Sequence, residues 1–160
     1  MKHSAPASGP TFEIPSGSPS ETLAVGRRLA ALMRPGDVVL LVGRLGAGKT
    51  LLASGIAEGC GVQEQITSPT FVLKRSYDGL IPVHHVDVYR LSSTGEFDDL
   101  DLFAEPLDGV VLIEWGNAVV NEVPDDHLVV EMIVEGDEQR RLLITPHGDW
   151  STRSLEGLMQ

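Results

Sequence analysis

The sequence predicts an α/β protein in which helices flank a mixed central sheet within a single domain. Three observations predict this. An unbroken apolar run over 38–42 leads directly into G-R-L-G-A-G-K-T at 43–50, which fits the pattern G-x-x-x-x-G-K-T. A second apolar run over 110–113 ends in a carboxylate, Glu114. Around these runs lie helical spacings and two hairpin patterns. Runs apolar on both faces read as parallel strands covered on both sides, and hairpins add antiparallel strands, so the sheet is mixed. With its glycine-rich loop between strand and helix, this is a phosphate-loop NTPase-like arrangement.

Length and composition agree. A chain of 160 residues, 42% apolar, suits one domain with a substantial core. No window approaches the ~18 unbroken apolar residues of a membrane helix. Residues 1–20 are rich in Ser, Pro and Gly and lack the apolar core of a signal peptide. The expected organisation is a disordered tail over 1–11, a phosphate-loop ATPase domain over 12–146, and a C-terminal tail or short helix over 147–160. A lone cysteine, Cys60 between Gly59 and Gly61, excludes an internal disulfide framework and reads as a small filler. This points to the cytoplasm. A net charge of −11 argues against the chain alone gripping a nucleic acid.

Taken in order, 12–14 reads as a short edge strand. Ser18, Pro19 and Glu21 form a helix start with a capping box, followed by Leu23, Val25, Leu29, Leu32 and Met33 at helical spacing. Arg34, Pro35 and Gly36 end that helix and lead into the strand over 38–42. In the loop, residues without a Cβ let successive N–H groups converge on one spot. Lys49 can reach the β- and γ-phosphates, the Thr50 hydroxyl can ligate Mg²⁺, and a helix over 49–58 aims its positive end at the same place.

Thr67, Ser68 and Thr70 then place three hydroxyls in four residues, either lining a γ-phosphate or forming a surface turn. Segments 71–77 and 81–89 flank Asp78-Gly79 and read as a hairpin. Within the second, His84 and His85 point to opposite faces, a poor metal pair. Asp87, among Val86, Val88 and Tyr89, requires a partner or a role, with a salt bridge to an arginine as one alternative. Ser93 and Glu96 open a short acidic helix with Phe97, Leu100, Leu102 and Phe103, expected to stop near Pro106. Residues 91–126 contain no Lys or Arg, while Glu96, Asp98, Asp99, Asp101, Glu105 and Asp108 crowd together. They form either a solvated face or a docking surface for a basic partner. Glu114 ends a strand expected beside the loop strand, where the second Mg²⁺-handling acid of phosphate-loop proteins sits. Segments 127–135 and 140–145 form a last hairpin.

Four blocks occur in order: G-R-L-G-A-G-K-T at 43–50, T-S-P-T-F at 67–71, H-V-D-V-Y-R-L at 85–91 and L-I-E-W at 112–115. Over roughly 12–145 the chain resembles the TsaE (YjeE) family, the small ATPases of bacterial tRNA threonylcarbamoyladenosine synthesis. The resemblance implies ATP and Mg²⁺ as cofactors. It assigns the phosphates to Leu45, Gly46, Ala47, Gly48, Lys49 and Thr50, and the metal to Thr50 and Glu114. Lys49, Asp87 and Thr70 are the implied catalytic residues, with Ser68, Pro69 and Thr70 a switch-like segment. Trp115 is placed to report the nucleotide state. Base contacts are expected around 18–22 and 136–141.

The resemblance also implies partners, TsaD and TsaB, which carry the transfer of a threonylcarbamoyl group to adenosine 37 of tRNA. Contact with tRNA is then only indirect, and no membrane is involved. The chain departs from the family pattern at Arg44, usually acidic, at Leu51, often Thr, at Val86 and at Gly116. None removes a group assigned to chemistry. No in-cis arginine finger is obvious, though Arg75 and Arg90 are candidates, so slow turnover alone and faster turnover with partners are expected. The alternatives are a small phosphate-loop kinase, for which the nine arginines form no lid-like cluster, and a non-catalytic nucleotide-dependent switch.

Overall fold

The computed structural model describes residues 9–68, 73–89, 93–103 and 107–159. Thr70, Arg90 and Glu105 lie outside them, as do residues 1–8 of the expected tail. A seven-stranded mixed sheet, order β1-β7-β6-β2-β5-β4-β3, forms the centre. Its strands are β1 (Phe12–Ser16), β2 (Val38–Val42), β3 (Lys74–Tyr77), β4 (Val83–Asp87), β5 (Val110–Glu114), β6 (His127–Val134) and β7 (Arg140–His147). β6, β2, β5 and β4 are mutually parallel, β7 and β3 run opposite to them, and the edge strand β1 pairs antiparallel with β7. The register sets Glu114 opposite Leu41 on β2 and opposite Asp87 on β4. Three parallel strands thus end at one rim, with the loop, an aspartate and a glutamate side by side.

Two helices, α1 (Pro19–Ala30) and α2 (Lys49–Gly59), cover one face of the sheet. Ser18 caps α1 by accepting the Glu21 N–H at 3.2 Å, a cap of about 1 kcal/mol. The Glu21 carboxylate reaches the amide of Gly17, one residue further out than in the expected box. α1 was expected to reach Met33 but ends at Ala30, because Leu32 and Met33 tighten to bonds with Leu29 and Ala30, three residues back. The helices cross where neither backbone carries a side chain: a Cβ on Gly26 would lie 2.8 Å from Gly55 Cα, and one on Gly55 would lie 2.4 Å from the Leu23 carbonyl. α2 is therefore locked against α1 with its first turn at the sheet rim.

The other face is covered over β2, β5 and β4 by the short helix α3 (Thr94–Asp98) and a 3₁₀ turn at Gly116–Val119. Ser93 caps α3 through the Glu96 N–H at 3.3 Å. The helix stops well before Pro106, and Asp101 turns the chain at φ 51. β3 starts at Lys74, later than expected, after Leu73 at φ 64. The expected two-residue turn at Asp78-Gly79 is a longer loop over 78–82. It folds back onto the end of α2, where Ile81 N–H donates to the Cys60 carbonyl at 3.1 Å. Cys60 is buried there, and burial pushes its thiol up to about 11, in keeping with a filler.

At the chain ends, Gly9 N–H donates to Pro146, and the Thr11 and Thr145 hydroxyls lie 2.8 Å apart. Residues beyond β7 form 3₁₀ turns at Gly148–Thr152 and Glu156–Met159 that bury Trp150, Leu155 and Leu158 in the core with α1 and α2. Arg153 holds this segment by donating two hydrogen bonds to the Asp37 carboxylate, at 2.7 and 3.1 Å, and stacks over Trp150. No helix among the described residues is long and apolar enough to cross a membrane.

Candidate phosphate-loop site

The loop over 43–48 needs backbone that only glycine adopts without strain. Gly43, Gly46 and Gly48 have φ of 156, 83 and 109. Leu52 N–H donates to the Gly48 carbonyl at 2.9 Å. The amides before it, Lys49 to Leu51, are the donors that any helix start leaves without an intrahelical acceptor. The loop thus ends in a cluster of N–H groups at the positive end of α2.

Lys49 is buried and its Nζ donates to the carbonyls of Gly43 at 2.7 Å and Arg44 at 2.9 Å. Burial pushes its ammonium below the ordinary lysine value, against the opposing pull of the Glu114 and Asp87 carboxylates. The Thr50 hydroxyl donates to both Glu114 oxygens, at 2.8 and 3.1 Å. This closes α2 onto the end of β5. Asp87 is buried at the end of β4 and accepts the Tyr89 N–H at 2.9 Å. Trp115 adopts the left-handed conformation, φ 62 and ψ 33, directly after Glu114. Its ring lies over Lys49 Nζ and 4.7 Å from the Tyr89 ring.

These groups line one cleft of about 600 Å³ with Leu45, Gly46, Gly48, Leu51 and Ser68. Of the residues expected at the site, the structure brings together Leu45, Gly46, Gly48, Lys49, Thr50, Ser68, Asp87, Glu114 and Trp115. Ala47 is buried behind the loop and lines an adjoining cleft with Pro19, Thr22, Asp137, Glu138 and Arg140. The segments expected to contact a base, around 18–22 and 136–141, therefore meet beside the loop. Thr70 and Arg90 lie outside the described residues. Arg75 sits exposed on the edge strand β3 and does not line the cleft. A separate groove of about 360 Å³, lined by Leu40, Val42, Asn117, Val129 and Leu143 among others, holds none of these groups.

Two residues take roles that the sequence reading did not assign to them. Arg140 donates to Ala47 O at 2.9 Å and Gly46 O at 3.4 Å, and also to carbonyls of Gly136, Asp137 and Gln139. It ties the β6–β7 hairpin to the loop across 93 residues of chain, a distance that no local pattern reports. His85 is fully buried, and its Nε2 lies 2.6 Å from Glu114 Oε2. Its spacing of two from Asp87 on a strand did carry a signal, because i and i+2 share a face.

The donor set is a carboxylate beside a hydroxyl, at the foot of a loop of amides and one ammonium. Hard oxygen donors, few in number, suit a cation such as Mg²⁺ that completes its shell with phosphate oxygens and water.

Fold and site together define a phosphate-loop NTPase-like α/β protein. Residues 16–142 match the family described as threonylcarbamoyl adenosine biosynthesis protein TsaE, and the chain belongs to that family. It is 43% identical over 143 residues to the tRNA threonylcarbamoyladenosine biosynthesis protein TsaE of Streptomyces coelicolor, covering 84% of this chain and 97% of that one. Against the Bacillus subtilis protein of the same name it is 38% identical over 133 residues, 82% and 84% of the two chains. A crystal structure of Bacillus subtilis YdiB superposes with a TM-score of 0.77 at 32% identity, covering 94% of this chain and 95% of that one.

Proposed function

We propose that this chain is a Mg²⁺-dependent ATPase that acts with TsaD and TsaB homologues in the threonylcarbamoyl modification of adenosine 37 of tRNA. The observation that carries the reading is the Thr50 hydroxyl on the Glu114 carboxylate at 2.8 Å, one residue from the buried Lys49 ammonium. Thr50 and Glu114 would hold the metal, and the loop amides and Lys49 would hold the phosphates. Mg²⁺ bound there would neutralise charge on the β- and γ-phosphates. Lys49 would exchange its carbonyl partners for phosphate oxygens, and Asp87, beside it, would orient water or support the metal shell. Thr70, in the segment after Ser68, completes the expected catalytic set. The cleft between Pro19, Thr22 and Arg140 would take the base.

In such chemistry positioning and electrostatics supply most of the rate. Among the described residues that line the phosphate cleft there is no arginine. Slow turnover alone and faster turnover with partners follow, since a supplied arginine contributes ~10³-fold or more. The protein would work in the cytoplasm.

Phosphate release from ATP, measured with and without TsaD and TsaB, tests the reading. Lys49→Ala should abolish turnover and Glu114→Ala should blunt its Mg²⁺ dependence. Full hydrolysis by either variant would refute the assignment, and transfer of labelled phosphate to an acceptor other than water would favour a kinase.

A further inference from the structure

We propose that His85 is a positioning residue that sets the metal dependence of nucleotide binding by fixing the Glu114 carboxylate. The inference rests on the reading of Thr50 and Glu114 as the metal pair.

Glu114 is 4% exposed, and a buried carboxylate requires donors to offset its lost hydration. The structure supplies two, the Thr50 hydroxyl from α2 and the imidazole from β4. A carboxylate only accepts, so Nε2 of His85 donates. The two residues are diagonal neighbours: His85 pairs with Leu112 in the parallel register, and Glu114 lies two residues beyond on the same face. His85 Nδ1 is buried with no hydrogen-bond partner among the described residues, so its one polar link in the interior is to Glu114. An apolar residue would fill the same core position at lower cost. The imidazole instead shares Oε2 with the Thr50 hydroxyl, at 2.6 and 2.8 Å, and so holds the carboxylate between β4 and α2 with both oxygens within reach of Thr50. Partners behind a metal ligand commonly change metal affinity by about 10–100-fold.

The test is calorimetric titration of the full chain with ADP, once with MgCl₂ and once with EDTA. Wild type should bind more tightly with Mg²⁺. His85→Leu should lose about 10-fold or more of that gain, with EDTA affinity unchanged within about 2-fold. His85→Gln, which places an amide N–H near Nε2, should recover most of it. A full Mg²⁺ gain in His85→Leu overturns the inference while leaving the metal reading intact. Equal losses in both titrations, or no recovery by Gln in a folded protein, also overturn it, since they mark His85 as a packing residue. Absence of any Mg²⁺ gain in wild type would overturn the metal reading itself and this inference with it.

Discussion

The Lys49 ammonium lies 4.2 Å from the centroid of the Trp115 ring. The contact exists because Trp115 takes a left-handed backbone conformation, which costs a non-glycine residue about 1–2 kcal/mol. The turn swings the indole off the end of β5 and over the loop, where Tyr89 packs against it from the end of β4. The ring thereby helps to hold a cation whose burial already works against its charge.

Replacing that ring should be felt at the ammonium. Trp115→Phe keeps an aromatic face and should bind ADP within about 2-fold of wild type, whereas Trp115→Ala should bind about 2- to 5-fold more weakly, the worth of a partly buried cation–π contact. Calorimetric titration would decide. Equal affinity in the alanine variant would show that the indole does not hold Lys49.

Stability should fall on mild acidification through a second aromatic pair. His127 and His147 stack across β6 and β7 with centroids 4.6 Å apart. Burial, and then His127, push His147 below the ordinary imidazole value of about 6.5. The unfolded chain then takes up the proton first. The stabilisation is complete above pH ~6.5, declines as pH falls toward the folded value, and levels off below it. His147→Gln should flatten this part of a melting temperature–pH profile, and an unchanged slope would sink the assignment.

Arg140 should support the loop rather than the chemistry. Its bonds to Gly46 and Ala47 hold the outer turn of the loop against the hairpin. Arg140→Ala should weaken ADP binding by about 10-fold, the range of a hydrogen bond from a charged donor. Lysine should restore little of it, because it lacks the planar fork. The readout is ADP affinity at fixed Mg²⁺.

Crowding at the helix crossing predicts a stability loss. Gly55→Ala would drive a Cβ to 2.4 Å from the Leu23 carbonyl. Overpacking should outweigh the gain in helix propensity and cost about 1–3 kcal/mol in urea denaturation. A more stable variant would mean that the helices can part without penalty.

Much of the site was legible because its signals are local. Strand, loop and helix start are contiguous in the phosphate loop, and Glu114 follows its own apolar run. What the sequence concealed is contact across the sheet. Which of His84 and His85 faces inward depends on the register of β4 on β5, and pairwise spacing alone places only His85 with Asp87. Arg140 looked like a hairpin residue because its acceptors lie on a loop far back in the chain. The Asp78-Gly79 signal predicted a tight turn, but packing against the end of α2 drew the chain into a longer loop. Trp150, Leu155 and Leu158 carry too short a pattern to announce a place in the core, though Arg153 and Asp37 hold them there.

The glycine contact between α1 and α2 also constrains how the molecule can move. Pro19 and Thr22, near the start of one helix, face the cleft beside the loop, while Lys49 and Thr50 begin the other. Two helices whose main chains touch cannot slide or tilt past each other without collision. The walls they contribute therefore form one stiff frame with a fixed spacing, like the jaws of a caliper set to a single gauge. Any adjustment to an incoming ligand falls to the facing side, the hairpin tip around Asp137 and Glu138 that Arg140 tethers.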